Sequence, residues 1–332
     1  MSGPLRRVGA VVHMGRPSAL AVGKQLTGWA ADHGVELRTL DSERGCLGDE
    51  VPCADAASFP DGLDLTVSLG GDGTLLRAGG LVLQAGVPVL GVNLGRLGFL
   101  TEVEADGLVA ALDAVHAGDY RVERRTTLAA RTLIDGVDVG EDLAINDVVL
   151  EKAARERLAV VAVRIGGGGP FARYAADGLM VASPTGSTAY SFSAGGPIVS
   201  PRLDALLLTP IAPHMVFNRS LVLHPDEGVR LELLPESPPV VVSVDGRAAR
   251  ELPPGAVVEV RRGRHDALLV RLDHADFYRL VRSKFRLADA GEVADDPEPA
   301  PQDEDPESAP QDEDQWGPGS WGGPGGSELP PE

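Results

Sequence analysis

The chain has 332 residues, room for two ordinary domains, and a globular composition of 43% hydrophobic and 24% charged residues. Its formal net charge of −19 is unevenly spread: residues 289–332 carry 14 acids and no base, which leaves 35 acids against 30 bases before them, a net of −5. That balance offers no basic face for nucleic acid, and the absence of an 18-residue apolar run argues against a membrane span.

The start, MSGPLRRVGAVVHMG, has two arginines and a short apolar run. It lacks a long apolar region and a small-residue cleavage site, so it reads as a first strand and not as a signal peptide, and the expected location is cytoplasmic. Pro17 to Gly34 has helical spacing through Leu20, Val22, Leu26, Trp29 and Ala30. VELRTL at 35–40 reads as a second strand. Cys46 and Cys53 follow in a polar stretch; two cysteines are too few for a disulfide framework or, without histidines nearby, a zinc site. DLTVSLG is a third strand, Thr74 to Gly86 fits a helix, and VPVLGVN at 87–93 is a further strand. After the loop LGRLGFL comes a helix through Leu108, Leu112 and Val115. Strands alternating with helices predict a parallel α/β sheet covered on both faces, with ligands beyond the carboxyl ends of the strands.

The texture changes near Asp119. TTLAARTLI, RLAVVAVRI, PVVVSVDG, GAVVEVRR and DALLVRLD are short strands separated by turn residues, which predicts an all-β, sandwich-like segment to about Asp273. Asp276 to Phe285 reads as a closing helix. From Asp289 the chain turns to Pro, Asp, Glu, Gln and Gly, with APQDED occurring twice, and is too poor in apolar residues to fold on its own.

Three motifs carry chemistry. The first is LGGDGTLLRAGG, Leu69 to Gly80. A glycine-rich turn after a strand suits a phosphate, because bare backbone N–H groups can close on an anion. A Walker loop would add a lysine, and here Asp72 stands in the cradle instead. An acid there has two uses in phosphoryl transfer, holding a divalent metal or accepting the proton of the attacking hydroxyl. A plain strand-to-helix turn with Asp72 as cap is the other reading, and the loop alone leaves both open. The second motif is DGLMVASPTGSTAYSFSAGGP, Asp177 to Pro197, dense in small hydroxyls as a site for sugar hydroxyls and an amide would be. In the third, LAINDVVLEKAARER, Asn146 and Asp147 interrupt an apolar strand, where they can receive a diol or a base edge or form a bulge with a solvated pair.

In this order, from about Arg6 to Arg286, the three motifs resemble the NAD kinase family. The resemblance implies transfer of a phosphoryl group from ATP, or in some members inorganic polyphosphate, to the 2′-hydroxyl of the adenosine ribose of NAD. It further implies a divalent metal (Mg or Mn), whose ligands are unknown, and a homo-oligomer. The implied fold is an α/β N-terminal domain with a Rossmann-like parallel sheet (1–119) and an all-β, sandwich-like NAD-binding domain (120–273). A C-terminal helix returning to the first domain (274–288) and a disordered acidic tail (289–332) complete it.

By the same resemblance Asp72 is the general base, with Gly70, Gly71, Gly73 and Thr74 around the ATP phosphates. Gly73 also borders NAD, and Arg77 is placed either to neutralise phosphate charge or to lie on a solvated helix face. Asn146 and Asp147 match an Asn-Glu pair that contacts the adenosine part, the acid here being one methylene shorter. Arg157 falls where several members place a basic residue. Asp177 matches the aspartate of a second Asp-Gly, although Ala176 stands where glycine is usual. Thr188, Ala189, Tyr190, Ser191, Phe192 and Ser193 match a nucleotide-lining run, and Ala212 and Arg247 match further contacts. Two other functions fit the same glycine loop: another kinase acting on a lipid or sugar phosphate, and a non-catalytic NAD-binding regulator. The hydroxyl-rich run disfavours the first and the presence of Asp72 the second.

Overall fold

A computed structural model describes residues 4–95, 98–154, 157–272 and 277–287. The acidic segment 289–332 lies outside the described residues.

The first part builds a largely parallel sheet. In chain order its elements are β1 (Arg7–Val12), α1 (Pro17–His33), β2 (Glu36–Leu40), β3 (Cys53–Ala54), β4 (Leu65–Gly70), α2 (Asp72–Val82), β5 (Val89–Asn93), β6 (Val103–Glu104), α3 (Leu108–Ala117) and β7 (Arg121–Arg125). Alternation along the strands sends side chains to two cores. Val8, Ala10 and Val12 of β1 face α1 and α3, whose Leu26, Trp29, Leu108 and Leu112 cover them. Val11, on the opposite face, shares a core with Leu75, Leu76 and Val82 of α2. Helices therefore cover both faces, as the alternating pattern requires. Helix α2 begins two residues before the sequence pattern suggests, at Asp72, with Gly71 extended as its N-cap.

Thirteen further strands follow: β8 (Leu128–Ile134), β9 (Val137–Ala144), β10 (Asp147–Lys152), β11 (Ala159–Ile165), β12 (Pro170–Ala176), β13 (Gly178–Ala182), β14 (Leu206–Ile211), β15 (Leu221–Leu223), β16 (Val229–Leu233), β17 (Val240–Val244), β18 (Arg247–Leu252), β19 (Val257–Arg262) and β20 (Ala267–Arg271). A short helix, α4 (Tyr190–Ser193), follows β13, and α5 (Phe277–Phe285) is the last described element. Two six-stranded antiparallel sheets, ordered β15-β14-β13-β10-β17-β18 and β12-β11-β16-β19-β8-β9, enclose one core. Val148, Leu150, Val240 and Val242 of one sheet meet Val161, Val163, Leu231 and Val258 of the other, the alternation of a sandwich.

Strand β20 does not stay with the sandwich. It enters the first sheet, parallel to β5 through Leu269↔Val89 and antiparallel to β7, so the first sheet runs β3-β2-β1-β4-β5-β20-β7. Local texture marks β7 and β20 as β-type, but their partners lie far away along the chain and only the folded sheet reveals them. Ile145, between β9 and β10 of the sandwich, packs into the core around α2.

The end of β4 is fixed by a close approach. A Cβ on Gly70 would lie 2.1 Å from Thr74 Oγ1 and 2.5 Å from Thr74 Cβ, and Thr74 is buried. We expect Gly70→Ala to destabilise the protein by about 1–3 kcal/mol through overpacking, read as a drop in Tm. Gly70→Ala/Thr74→Ala should recover most of the loss, whereas an unchanged Tm in the single variant would contradict the packing described.

Candidate active site

The Gly70–Thr74 loop sits at the carboxyl end of β4 and opens α2. Ideal Cβ atoms on Gly71 and Gly73 meet nothing within 4 Å, so the loop has open space on its outer side, unlike at Gly70. Asp72 does not cap its helix. Its carboxylate turns to the segment after β5, where Oδ2 accepts the Phe99 N–H (2.8 Å) and Oδ1 accepts those of Leu100 (3.1 Å) and Thr101 (3.4 Å). Gly98 is needed there, since a Cβ on it would lie 1.9 Å from Asp72 Oδ1. A carboxylate offers about four lone-pair sites. Among the described residues three are taken, and the remaining one lies on Oδ2.

The Asn146-Asp147 bend is organised by Asp245, in the turn between β17 and β18. Its carboxylate accepts the N–H groups of Ile145 (2.9 Å), Asn146 (2.7 Å) and Asp147 (3.3 Å), and its own N–H donates to the Asp147 carbonyl (3.0 Å). The 183–187 segment closes on the same bend. Ser183 donates from its N–H to the Asn146 carbonyl (2.8 Å) and from Oγ to the Ile145 carbonyl (2.6 Å). Gly186 comes so near that a Cβ would lie 2.2 Å from the Asn146 carbonyl oxygen, so glycine alone fits. Asn146 is buried, and its Oδ1 has no hydrogen-bond partner among the described residues. An acceptor left unpaired in the interior is costly unless a ligand completes it.

Asp147 is only 5% exposed. Burial, reinforced by the negative charges of Asp245 and Glu151, pushes its carboxyl up to about 7. The Tyr190 hydroxyl donates to Glu151 Oε1 (2.7 Å) and is pushed up to about 12, by burial first and then by that bond and the surrounding acids. Asp177 pairs with Lys152 (2.5 Å) across the base of the hydroxyl-rich run.

Asn146, Asp147, the 183–191 run and Arg247 share one neighbourhood. That neighbourhood meets α2 where Gly79 faces Ile145 Cδ1 and Gly80 faces Arg247 Nη2, 2.6 and 3.7 Å from ideal Cβ positions. Ala212 has φ +44°, a left-handed backbone rare for alanine, beside Ile211, whose carbonyl accepts the Asp177 N–H (3.0 Å). Tyr190 and Phe192 are partly exposed, whereas Ser191 is buried against Thr209 Oγ1 (3.2 Å) and serves packing. Thr188 Oγ1 bonds back to the Thr185 carbonyl (3.4 Å), Ala189 is the N-cap of α4 and Ser193 its last residue. The Arg77 guanidinium donates to the Val12 carbonyl (3.0 Å) and pairs with the buried Glu43. Arg157 donates to the Glu236 carbonyl (3.1 Å).

Sequence reasoning missed the 98–101 segment that holds Asp72, although LGRLGFL, with two glycines in seven residues after a strand, was the available signal. It also missed Asp245 as the organiser of the 145–147 bend; an Asp-Gly turn is visible in sequence, but its backbone partners 98–100 residues away are not.

Two family profiles match the chain: an ATP-NAD kinase N-terminal domain over residues 49–120 and an ATP-NAD kinase C-terminal domain over residues 145–272. The NAD kinase of Heliobacterium modesticaldum is 44% identical over 279 residues, covering 84% of this chain and 98% of that protein. NAD kinase 2 of Streptomyces coelicolor is 42% identical over 291 residues, covering 86% and 96%. A crystal structure of yeast NADH kinase complexed with NADH is similar at a TM-score of 0.80 and 26% identity, covering 87% of this chain and 89% of that one.

The raised Asp147 carboxyl has a consequence for stability. A carboxyl that holds its proton more tightly when folded makes folding less favourable as pH rises from its ordinary value, about 4, towards 7. We expect Asp147→Asn to gain Tm relative to the wild type between pH 5 and pH 8, by several degrees. A difference in Tm independent of pH would contradict the burial of this charge.

Proposed function

The chain belongs to the NAD kinase family, and from that premise we propose how its residues divide the work. The protein is a kinase that phosphorylates NAD with ATP as the phosphoryl donor. In our reading the acceptor is the 2′-hydroxyl of the adenosine ribose and the product is NADP. The single observation that carries this reading is the Asp72 carboxylate, fixed inside a glycine-rich loop with, among the described residues, one lone-pair site on Oδ2 left over.

The attacking hydroxyl approaches that site and gives its proton to Asp72 as its oxygen forms the new bond to the γ-phosphorus. The bond from the γ-phosphorus to the bridging oxygen breaks, and ADP leaves with the electron pair. Gly71 and Gly73 leave room for the phosphates to approach the backbone, and the N-terminus of α2 directs its dipole at them. Asn146 Oδ1 accepts a donor from the adenosine part, the partner this buried atom lacks among the described residues. Asp147 stands beside it for the ribose or base edge, and the Tyr190–Glu151 pair borders the nucleotide.

A divalent ion fits this site as one carried mainly by the phosphates. Among the described residues no three His, Cys, Asp or Glu side chains converge as a cage, and magnesium usually binds through one or two carboxylates, substrate phosphates and water. When bound, such an ion neutralises charge on the transferring phosphoryl group. The family premise also supports a homo-oligomer, a cytoplasmic setting and, in place of ATP, polyphosphate as a donor. Among the described residues no helix is long and apolar enough to cross a membrane.

Incubating the purified protein with ATP, magnesium and NAD should yield NADP, measured directly. Asp72→Asn should lower kcat by about 10²–10⁴-fold and cost some stability, since its amide nitrogen would face an N–H that the carboxylate now accepts. Near-normal turnover would remove Asp72 as base. Asn146→Ala should raise the KM for NAD roughly tenfold, with a smaller change for ATP; a change confined to ATP would mean that the two nucleotides occupy the opposite sides.

A further inference from the structure

The segment that holds Asp72 is itself held by a buried group far along the chain. Arg271, the last residue of β20, is 5% exposed. Its Nη1 donates to the Leu100 carbonyl (3.0 Å) and to Glu102 Oε2 (2.7 Å), and its Nε donates to Glu123 Oε2 (2.7 Å). Glu102 is fixed in turn, its Oε1 accepting the Leu272 N–H (3.0 Å) and its own N–H donating to the Gly91 carbonyl (2.9 Å). Glu123 also accepts Nη2 of the buried Arg125 (3.0 Å), which reaches on to Thr185 Oγ1 (3.4 Å) in the hydroxyl-rich run.

The geometry at Leu100 is specific. The Leu100 carbonyl and the Thr101 N–H belong to one peptide unit, which is planar and trans, so the two groups point in opposite directions. Arg271 grips this unit at its oxygen, and Asp72 Oδ1 accepts the N–H at the other end. The preceding N–H, that of Leu100 itself, donates to the same Oδ1. Fixing the carbonyl on the guanidinium therefore fixes the direction of an N–H that orients the carboxylate. The two arginines and two glutamates balance in charge, which allows a buried cation to sit behind the site without an uncompensated field.

We propose that Arg271 is a positioning residue for Asp72. Through the Leu100–Thr101 peptide it sets the orientation of the carboxylate that receives the proton of the attacking hydroxyl. This rests on the reading of Asp72 as general base. The strand that carries Arg271 reaches the first sheet only after the chain has built the sandwich, so the orientation of the base depends on completion of both domains.

The test is a kinetic double-mutant cycle with Arg271→Lys and Asp72→Asn. Lysine keeps the charge between Glu102 and Glu123 but loses the planar fork that serves the carbonyl and both carboxylates together. We expect Arg271→Lys to lower kcat by about 10–100-fold, with both KM values within about twofold of wild type and a cooperative melt that shows the fold intact. In the Asp72→Asn background the same substitution should lower kcat by less than about threefold, because the group it orients is gone; a purely structural role would instead multiply the two losses. Equal losses in both backgrounds, or wild-type turnover in a folded Arg271→Lys, would overturn the proposal while leaving Asp72 as base. Wild-type turnover in Asp72→Asn alone would overturn the base itself. If Arg271→Lys does not fold, Glu102→Gln, which keeps the shape but withdraws one counter-charge from Arg271, takes its place in the same cycle with the same criteria.

Discussion

The interaction on which the site depends is the capture of one carboxylate by consecutive backbone amides. Asp72 opens a helix whose N-terminus favours anions, and it is itself an anion inside a glycine-rich turn. Its side chain turns sideways, onto the N–H groups of Phe99, Leu100 and Thr101. Among the described residues those bonds satisfy the carboxylate without closing the glycine loop. The space outside Gly71 and Gly73 stays open, and the carboxylate is aimed rather than free to rotate.

The two domains meet around this arrangement through directed contacts. Ile145 enters the core around α2, Asp245 bends the chain so that Asn146 and Asp147 leave the strand pattern, and Gly186 lets the hydroxyl-rich segment lie against that bend. Strand β20 then returns to the first sheet and places Arg271 behind the loop that holds Asp72. The hydroxyl-rich run and the glycine loop are thus tied by one buried ionic network that reaches from Leu100 to Thr185. Breaking one member of such a network leaves a buried charge unmatched, typically at a cost of about 3–5 kcal/mol, so the network holds the site as well as the fold.

Much of this was legible in the sequence because it is local. The alternating α/β pattern, the change to short strands after Asp119 and the glycine loop all depend on residues near one another, but the sandwich sheets run only from β8 to β19, because β7 and β20 pair into the first sheet. The start of α2 at Asp72 was missed by two residues because glycines are poor helix formers and tertiary contacts outweighed them. Other features were not legible because their partners are distant. Arg77 resembles a phosphate ligand in one dimension, but the fold brings Glu43 to it. Arg157 likewise turns to the Glu236 carbonyl. The roles of Arg271 and Asp245 depend on bonds across 171 and about 100 residues, and no short motif records them.

The most direct measurement is a crystal structure of the protein with NAD and a non-hydrolysable ATP analogue. With Asp72 as base, the ribose 2′-oxygen is expected within hydrogen-bond reach of Asp72 Oδ2, about 2.6–3.2 Å, while the Phe99, Leu100 and Thr101 amides keep hold of the carboxylate. A 2′-hydroxyl directed to another base, with Asp72 bound only to backbone amides, would contradict it.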